Sequence, residues 1–300
     1  MRVAALDLGS NTSLLLIAEI EGGRLTRQLH DETTITRLGQ GVHAQRRFHP
    51  EALKRMRDCL AHYRAAIDRF NCEKVIAVAT SAARDVANGE ELLNLGREFK
   101  IPIHIISGGR EAQLTFQGAV CDRPASDGVA VIDVGGGSTE VIQSTGGKIQ
   151  GTSVDVGSVR LSEMFVKSDP IVPAELSQLR QYAKTAFQKA GVVPGPYKEI
   201  VAVAGTPTTL AGLDQEIDFC VERIHGYKMN IDTVESWILR LAGMPLVQRE
   251  ALKGMQPKRA DVIVAGSAIL SAAIRSLNQT QFTVSTRGVR YGVALAWQEF

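Results

Sequence analysis

Cysteine is scarce in this chain: four in 300 residues, with no Cys-x-x-Cys pair. Cys59, Cys72, Cys121 and Cys220 stand far apart in sequence, which argues against a structural zinc site and a disulfide framework. They read as thiols of a reducing compartment. Net charge is nearly absent too, at +2. Split at Asp122, each half carries one more Lys/Arg than Asp/Glu, so bulk charge gives no footing for duplex nucleic acid and leaves room only for a local basic groove. No apolar run approaches the roughly 20 residues that span a bilayer. Met1 and Arg2 lead straight into a segment containing Asp7, without a signal-peptide apolar region or cleavage site. The expectation is a cytoplasmic protein without membrane association.

What the chain does have is apolar residues, 44% of the total, enough for a sizeable core in one large domain or two ordinary ones. Residues 2–8 and 13–20 are apolar or alternating around a short polar turn, a β-hairpin pattern, and a third strand is expected over 24–38. Pro50 suits a first helical turn, and Leu53, Met56, Leu60, Tyr63, Ile67 and Phe70 recur at steps of three and four. "KVIAVAT" and "IPIHIIS" read as strands, "GEELLNLGREF" and "REAQLTFQGAV" as helices. Strands alternating with helices imply a mixed sheet with parallel members. Pro124, Ser126, Asp127 and Gly128 suggest a linker. The pattern then restarts: strand, glycine turn and strand in "VAVIDVGGGSTEVIQ", a third strand in "KIQGTSVDVGS", and a helix over 173–190. A strand "EIVAVAG" follows, then helical "TPTTLAGL", helices over 233–242 and 260–276, a strand "FTVS" and a last helix.

The two starts match in detail. "LDLGSNTS" aligns with "IDVGGGST", placing Asp7 on Asp133, Gly9 on Gly135 and Thr12 on Ser138, and "GGRL" at 22–25 echoes "GGKI" at 146–149. The spacing is far longer than the period of a solenoid, so one whole domain is duplicated. The division expected is 1–122 and 123–300, with the last helix free to pack back on the first domain.

A hairpin turn made of Gly-Ser-Asn-Thr or Gly-Gly-Gly-Ser has little side-chain bulk, so its backbone amides can approach an anion. The hydroxyls of Ser10, Thr12, Ser138 and Thr139 add donors. An aspartate ending each strand would repel phosphate unless a divalent cation lay between them, so each turn reads as half of a Mg²⁺–phosphate site. A lone Asp-x-Gly turn is usually only a turn; the second copy carries the functional reading.

These residues resemble the exopolyphosphatase / guanosine pentaphosphate phosphatase family of the actin and sugar kinase superfamily. Beyond the two hairpins, "IISGGREAQLTFQGA", "GSVRLSEMF", "AVAGTPTTLA", "IHGYKM", "ADVIVAGSAIL" and "VSTRGVRYG" occur in the family's order. The resemblance implies an α/β protein of two ribonuclease-H-like domains, each a mixed five-stranded sheet with helices, with a cleft between them. It implies removal of a terminal phosphate from polyphosphate or guanosine pentaphosphate, with Mg²⁺ as cofactor. Glu111 matches the family's water-activating glutamate, Asp133 and Glu140 its metal-associated pair, and Asp7 the first hairpin's aspartate. A homodimer is the association the resemblance allows. Longer members carry a C-terminal helical extension; a chain stopping at Phe300 is expected to be less processive on long polymer.

The candidate site is therefore Glu111 as base; Asp7, Asp133 and Glu140 toward the metal; and Gly9, Ser10, Asn11, Thr12, Gly135, Gly136, Gly137 and Ser138 around phosphate. Arg84, after "ATSAA", is read as a bidentate phosphate grip or a surface ion pair. Arg160 and Arg290 raise the same question. Gly205 and Thr206 sit where a strand turns into a helix whose first amides could meet an anion. Where the family has a second acid, this chain has Arg110, free to pair with Glu111 or with phosphate. Thr286 also departs from the family's aspartate. His225 reads as structural. The alternatives are a small-molecule kinase on the same fold, distinguished by acceptor-dependent ADP formation, and a non-catalytic nucleotide or alarmone sensor or actin-like filament, distinguished by binding without turnover or by pelleting with ATP.

Overall fold

A computed structural model describes residues 1–84, 86–123, 128–145, 148–256 and 258–300. The expected linker at 124–127 and the glycines of the "GGKI" echo lie outside the described residues. The chain divides into two compact units, Met1–Cys121 with Gly288–Phe300, and Asp122–Arg287. Among the described residues no helix is long and apolar enough to cross a membrane, and no disulfide joins the cysteines.

The first unit is a five-stranded sheet: β1 (Arg2–Leu8), β2 (Thr12–Glu21), β3 (Arg24–Ile35), β4 (Lys74–Ala79) and β5 (Ile103–Ile105). The order is β3-β2-β1-β4-β5. The hairpin strands β1–β2–β3 are antiparallel, and β4 and β5 run parallel to β1. Its helices are α1 (Val42–Gln45), α2 (Pro50–Arg69), α3 (Ser81–Arg84), α4 (Gly89–Glu98) and α5 (Gly108–Ala119). Alternation along β1 sends Ala4, Leu6 and Leu8 into a core with Met56, Leu60 and Leu92 of α2 and α4. Val3 and Ala5 face the opposite way, toward Leu114 of α5.

The second unit repeats this order. It contains β6 (Val129–Val134), β7 (Thr139–Thr145), β8 (Lys148–Val154), α6 (Ser158–Phe165), α7 (Pro173–Lys189), β9 (Glu199–Val203), α8 (Gly205–Gln215), α9 (Val221–Ile224), β10 (Lys228–Asn230), α10 (Ile231–Ala242), α11 (Leu246–Glu250), α12 (Ile263–Ser276) and β11 (Gln281–Val284). The sheet order is β10-β11-β9-β6-β7-β8. From β8 to β11 this is the first unit's order; β10 adds a sixth, antiparallel edge strand. The expectation of five strands does not hold for this unit: three residues running directly into α10 carry too little hydrophobic alternation to read as a strand.

After Arg287 the chain returns to the first unit as α13 (Val289–Leu295) and a short 3₁₀ turn (Trp297–Glu299). Val289, Tyr291 and Val293 complete the core on the Val3–Ala5 face. The helices touch through glycine: a Cβ on Gly292 would lie 1.9 Å from the Leu114 carbonyl oxygen, and one on Gly118 would lie 2.1 Å from that of Gly288. Arg290, buried beneath this segment, grips both carboxylate oxygens of Asp31 at 2.9 Å, and Tyr291 adds a hydroxyl to the same carboxylate. Arg290 is therefore engaged in an internal ion pair.

Candidate active site

In each unit the singled-out residues gather where parallel strands end, the edge at which open α/β sheets place ligands. In the first unit β1 and β4 run side by side with Leu8 opposite Ala79. The glycine turn after β1 thus neighbours the segment Thr80–Ser81 that leads to Arg84. Asp7 lies on β1 just before that turn, close enough to Arg290 to add to the stabilisation of the guanidinium charge. There burial opposes the charge, and Asp31, Tyr291 and Asp7 together outweigh it. In the second unit Asp133 pairs with Val203, so the turn after β6 neighbours Gly205 and Thr206 at the start of α8.

Both turns are built alike. Gly9 N–H donates to the Thr12 carbonyl at 3.0 Å, and Gly135 N–H to that of Ser138 at the same distance. The amides of Gly9 and Gly135 are therefore committed to closing the turns. The turn carbonyls are held from behind. Arg37 and Gly39 amides donate to Asn11 and Ser10 at 2.9 and 2.7 Å; Ser158 and Val159 amides donate to Gly135 and Gly136, both at 2.9 Å. Arg160 Nε adds a bond to the Gly137 carbonyl at 2.8 Å, so this arginine braces the turn. The amides of Ser10, Asn11, Gly136 and Gly137 take no part in this support. Asn11 is only 5% exposed, and both polar atoms of its side chain lack a hydrogen-bond partner among the described residues. An orphaned buried amide costs on the order of 1–3 kcal/mol, which a polar ligand at the turn would recover.

The two turns differ in one respect that matters. Across the second hairpin Asp133 stands directly opposite Glu140; across the first, Asp7 stands opposite Leu14. Directly opposed residues of an antiparallel pair point to one face, and like charges there repel. Asp133 and Glu140 are both buried, at 8% and 1% exposure. Glu140 Oε1 accepts hydroxyls from Ser138 at 2.8 Å and Ser153 at 2.7 Å. Among the described residues no three His, Cys, Asp or Glu side chains assemble as a metal cage. Two carboxylates are what Mg²⁺ ordinarily takes from a protein, with water and phosphate oxygens filling its octahedron. The donor set of the second hairpin fits such an ion.

Glu111 sits in the first turn of α5, whose N-cap Ser107 accepts the Arg110 amide. Its carboxyl is buried and meets Arg84, Nη1 to Oε2 at 2.7 Å. Burial pushes Glu111 above the ordinary carboxylate range, while the Arg84 charge and hydrogen bonds from Arg84 and Thr80 pull against it. Arg110 does not reach Glu111: it pairs with Glu299 and lies over the Phe300 ring.

Gly205 lies under Arg259, whose guanidinium would sit 1.8 Å from a Cβ there. Burial lowers the Arg259 pKa to about 10. Thr206 packs against Gly266 of α12. His225 is structural: Nε2 meets Asp122 at 2.8 Å, and Nδ1 accepts the Thr286 amide at 3.2 Å. Sequence reasoning passed over Gly39, Gly157 and Arg259. The only signal for Arg259 is its place just before "ADVIVAGSAIL".

The profile of the Ppx/GppA phosphatase family matches residues 16–299. The chain belongs to that family. This Ppx/GppA protein is 37% identical to exopolyphosphatase 2 of Mycobacterium tuberculosis over 98% of each chain. It is 27% identical to a guanosine-5'-triphosphate,3'-diphosphate pyrophosphatase of Photobacterium profundum, over 97% of this chain and 58% of that one. The crystal structure of the Aquifex aeolicus family member superposes with a TM-score of 0.82 at 30% identity, covering 100% of this chain and 98% of that one. The fold is the actin-like two-domain α/β fold, and the protein is a phosphate-releasing hydrolase.

Proposed function

We propose that this protein is an exopolyphosphatase: it removes the terminal phosphate of inorganic polyphosphate by Mg²⁺-dependent in-line attack of water, and guanosine pentaphosphate is its second candidate substrate. The likeness to exopolyphosphatase 2 along nearly the whole of both chains supports polyphosphate first. The observation that carries the reading is Glu111, a buried carboxylate at the strand-end edge that also holds the first glycine turn. A base whose pKa lies nearer neutrality accepts a proton from water more effectively than an ordinary surface carboxylate. Its place on a capped helix fixes the direction from which that water is held.

Within each unit the turn amides receive phosphate oxygens, those of Ser10 and Asn11 with the Ser10 and Thr12 hydroxyls in the first and those of Gly136 and Gly137 in the second, where the Ser138 hydroxyl is held by Glu140; the Asn11 side chain gains its missing partner. Asp133 and Glu140 would hold Mg²⁺, and Asp7 stands beside the turn of its own unit; the ion would supply charge neutralisation on the transferred group and the leaving chain. Gly205 and Thr206 border the phosphate end at the start of α8.

The test measures phosphate release in parallel on long polyphosphate, tripolyphosphate, guanosine pentaphosphate and ATP, with and without Mg²⁺. Turnover of polyphosphate is expected to need the cation, and Glu111→Gln is expected to lower kcat by at least ~100-fold while polyphosphate still binds. Full turnover in that variant removes Glu111 from the mechanism.

A further inference from the structure

We infer that Arg84 is a positioning residue for Glu111 and does not itself bind phosphate; the inference rests on the reading of Glu111 as the base. Arg84 ends the short helix α3 after β4, and Glu111 opens α5 after β5. One guanidinium nitrogen meets the α5 side of this junction at two points. Nη1 lies 2.7 Å from Glu111 Oε2 and 3.0 Å from the carbonyl oxygen of Ile106, the residue leading into α5. The arginine therefore fixes the carboxylate and the backbone from which it springs.

The exposures agree with this role. The Glu111 side chain is 9% exposed and that of Arg84 24%, so the arginine covers the acid. A buried carboxyl without a cation takes up a proton, and a protonated carboxyl cannot accept one from water. Of the groups facing Glu111, Arg84 on α3 carries charge and Thr80 at the end of β4 is a neutral hydroxyl. Arg110 is drawn away by Glu299. Arg84 is thus the cation that keeps Glu111 competent, and moving it onto phosphate would disarm the base at the moment it is needed.

The experiment compares Arg84→Gln and Arg84→Lys with the parent protein on tripolyphosphate at saturating Mg²⁺. Arg84→Gln is expected to lower kcat at least ~10-fold at pH 7 with KM within about twofold, the signature of a lost transition-state contribution. The acid limb of its kcat profile should move to higher pH by about one unit or more, since an adjacent arginine depresses a carboxyl by roughly that much. Arg84→Lys keeps the charge and should restore most of that shift. In a Glu111→Gln background, Arg84→Gln should leave tripolyphosphate affinity within about twofold of the single variant. This comparison and the Lys variant hold even where Arg84→Gln alone folds poorly. A roughly tenfold rise in KM with the acid limb unmoved, or a roughly tenfold loss of affinity in the Glu111→Gln background, overturns the proposal by making Arg84 a phosphate ligand. Undiminished activity of Glu111→Gln sinks the base assignment itself. An inactive Glu111→Gln with an unmoved limb in Arg84→Gln sinks only the role of Arg84.

Discussion

Asp133 and Glu140 show how one substitution separates duplicated hairpins. Position 14 of the first hairpin is leucine and the matching position of the second is glutamate, so only the second carries two buried acids side by side. Opposed like charges destabilise a strand pair by ~0.2–1 kcal/mol even at the surface. On the proposed reading such a pair takes up a cation, and in its absence the protein bears the cost. Asp133→Asn should therefore raise the melting temperature of the metal-free protein by about 1–4 °C, while lowering Mg²⁺-dependent turnover at least ~10-fold. Saturating Mg²⁺ should reverse the order of stability, because only the parent then gains binding energy. A melt in which Asp133→Asn is the less stable protein both with and without Mg²⁺ would show that the acidic pair is not held in tension for an ion.

At the scale of elements, each hairpin depends on a glycine in the loop that follows its third strand. A Cβ on Gly39 would come 2.8 Å from the Ser10 Cβ; one on Gly157 would come 2.3 Å from the Gly136 carbonyl oxygen and 2.4 Å from the Gly137 amide. The second clash is with backbone, which cannot rotate aside. Gly157→Ala should thus displace the turn, costing about 1–3 kcal/mol of stability and at least ~10-fold in phosphate release. Gly39→Ala meets a milder overlap, with the Ser10 carbonyl oxygen no nearer than 3.2 Å, and should do less on both counts. Phosphate-release assays beside thermal melts check this, and wild-type turnover in Gly157→Ala would refute the bracing role.

The duplicated turns were legible in the sequence because Asp7 and Asp133, Gly9 and Gly135, keep one spacing. The bracing glycines were not, because β2 and β3 run 10 and 12 residues where β7 and β8 run 7 and 7. The different strand lengths break the register before Gly39 and Gly157 are reached. The main strands and long helices were legible from apolar period, since burial writes that period directly. β10 and the short helices α1, α3, α9 and α11 are too brief to show one. The partnership of Arg84 with Glu111 spans 27 residues and two strand ends, and no local pattern records it. The division of labour among Arg84, Arg160 and Arg290 likewise became visible only through their partners.

For the molecule as a whole, the two units are unequal as folding problems. Asp122–Arg287 is one continuous stretch, whereas the other unit needs Gly288–Phe300 from the far end of the chain. Within the continuous unit, Asp122 and Arg287, the residues at which the chain enters and leaves it, are joined at 3.6 Å, and His225 holds the same Asp122 carboxylate. Burial opposes ionisation of that carboxyl, yet His225 and Arg287 hold it below the usual range. The discontinuous unit is expected to lack such independence. Residues 289–296 supply Val289, Tyr291, Val293, Ala294 and Ala296 to one of its two cores. At ~1.5–3 kcal/mol per large buried side chain, the three largest alone approach the total stability of an ordinary domain. A fragment of residues 122–287 is therefore expected to melt cooperatively on its own. A fragment of residues 1–121 should show no cooperative melt, and should regain one when a peptide of residues 288–300 is added in excess, with a midpoint that rises with peptide concentration. A sharp, peptide-independent transition in residues 1–121 would mean that the returning helix merely rests on a core already complete.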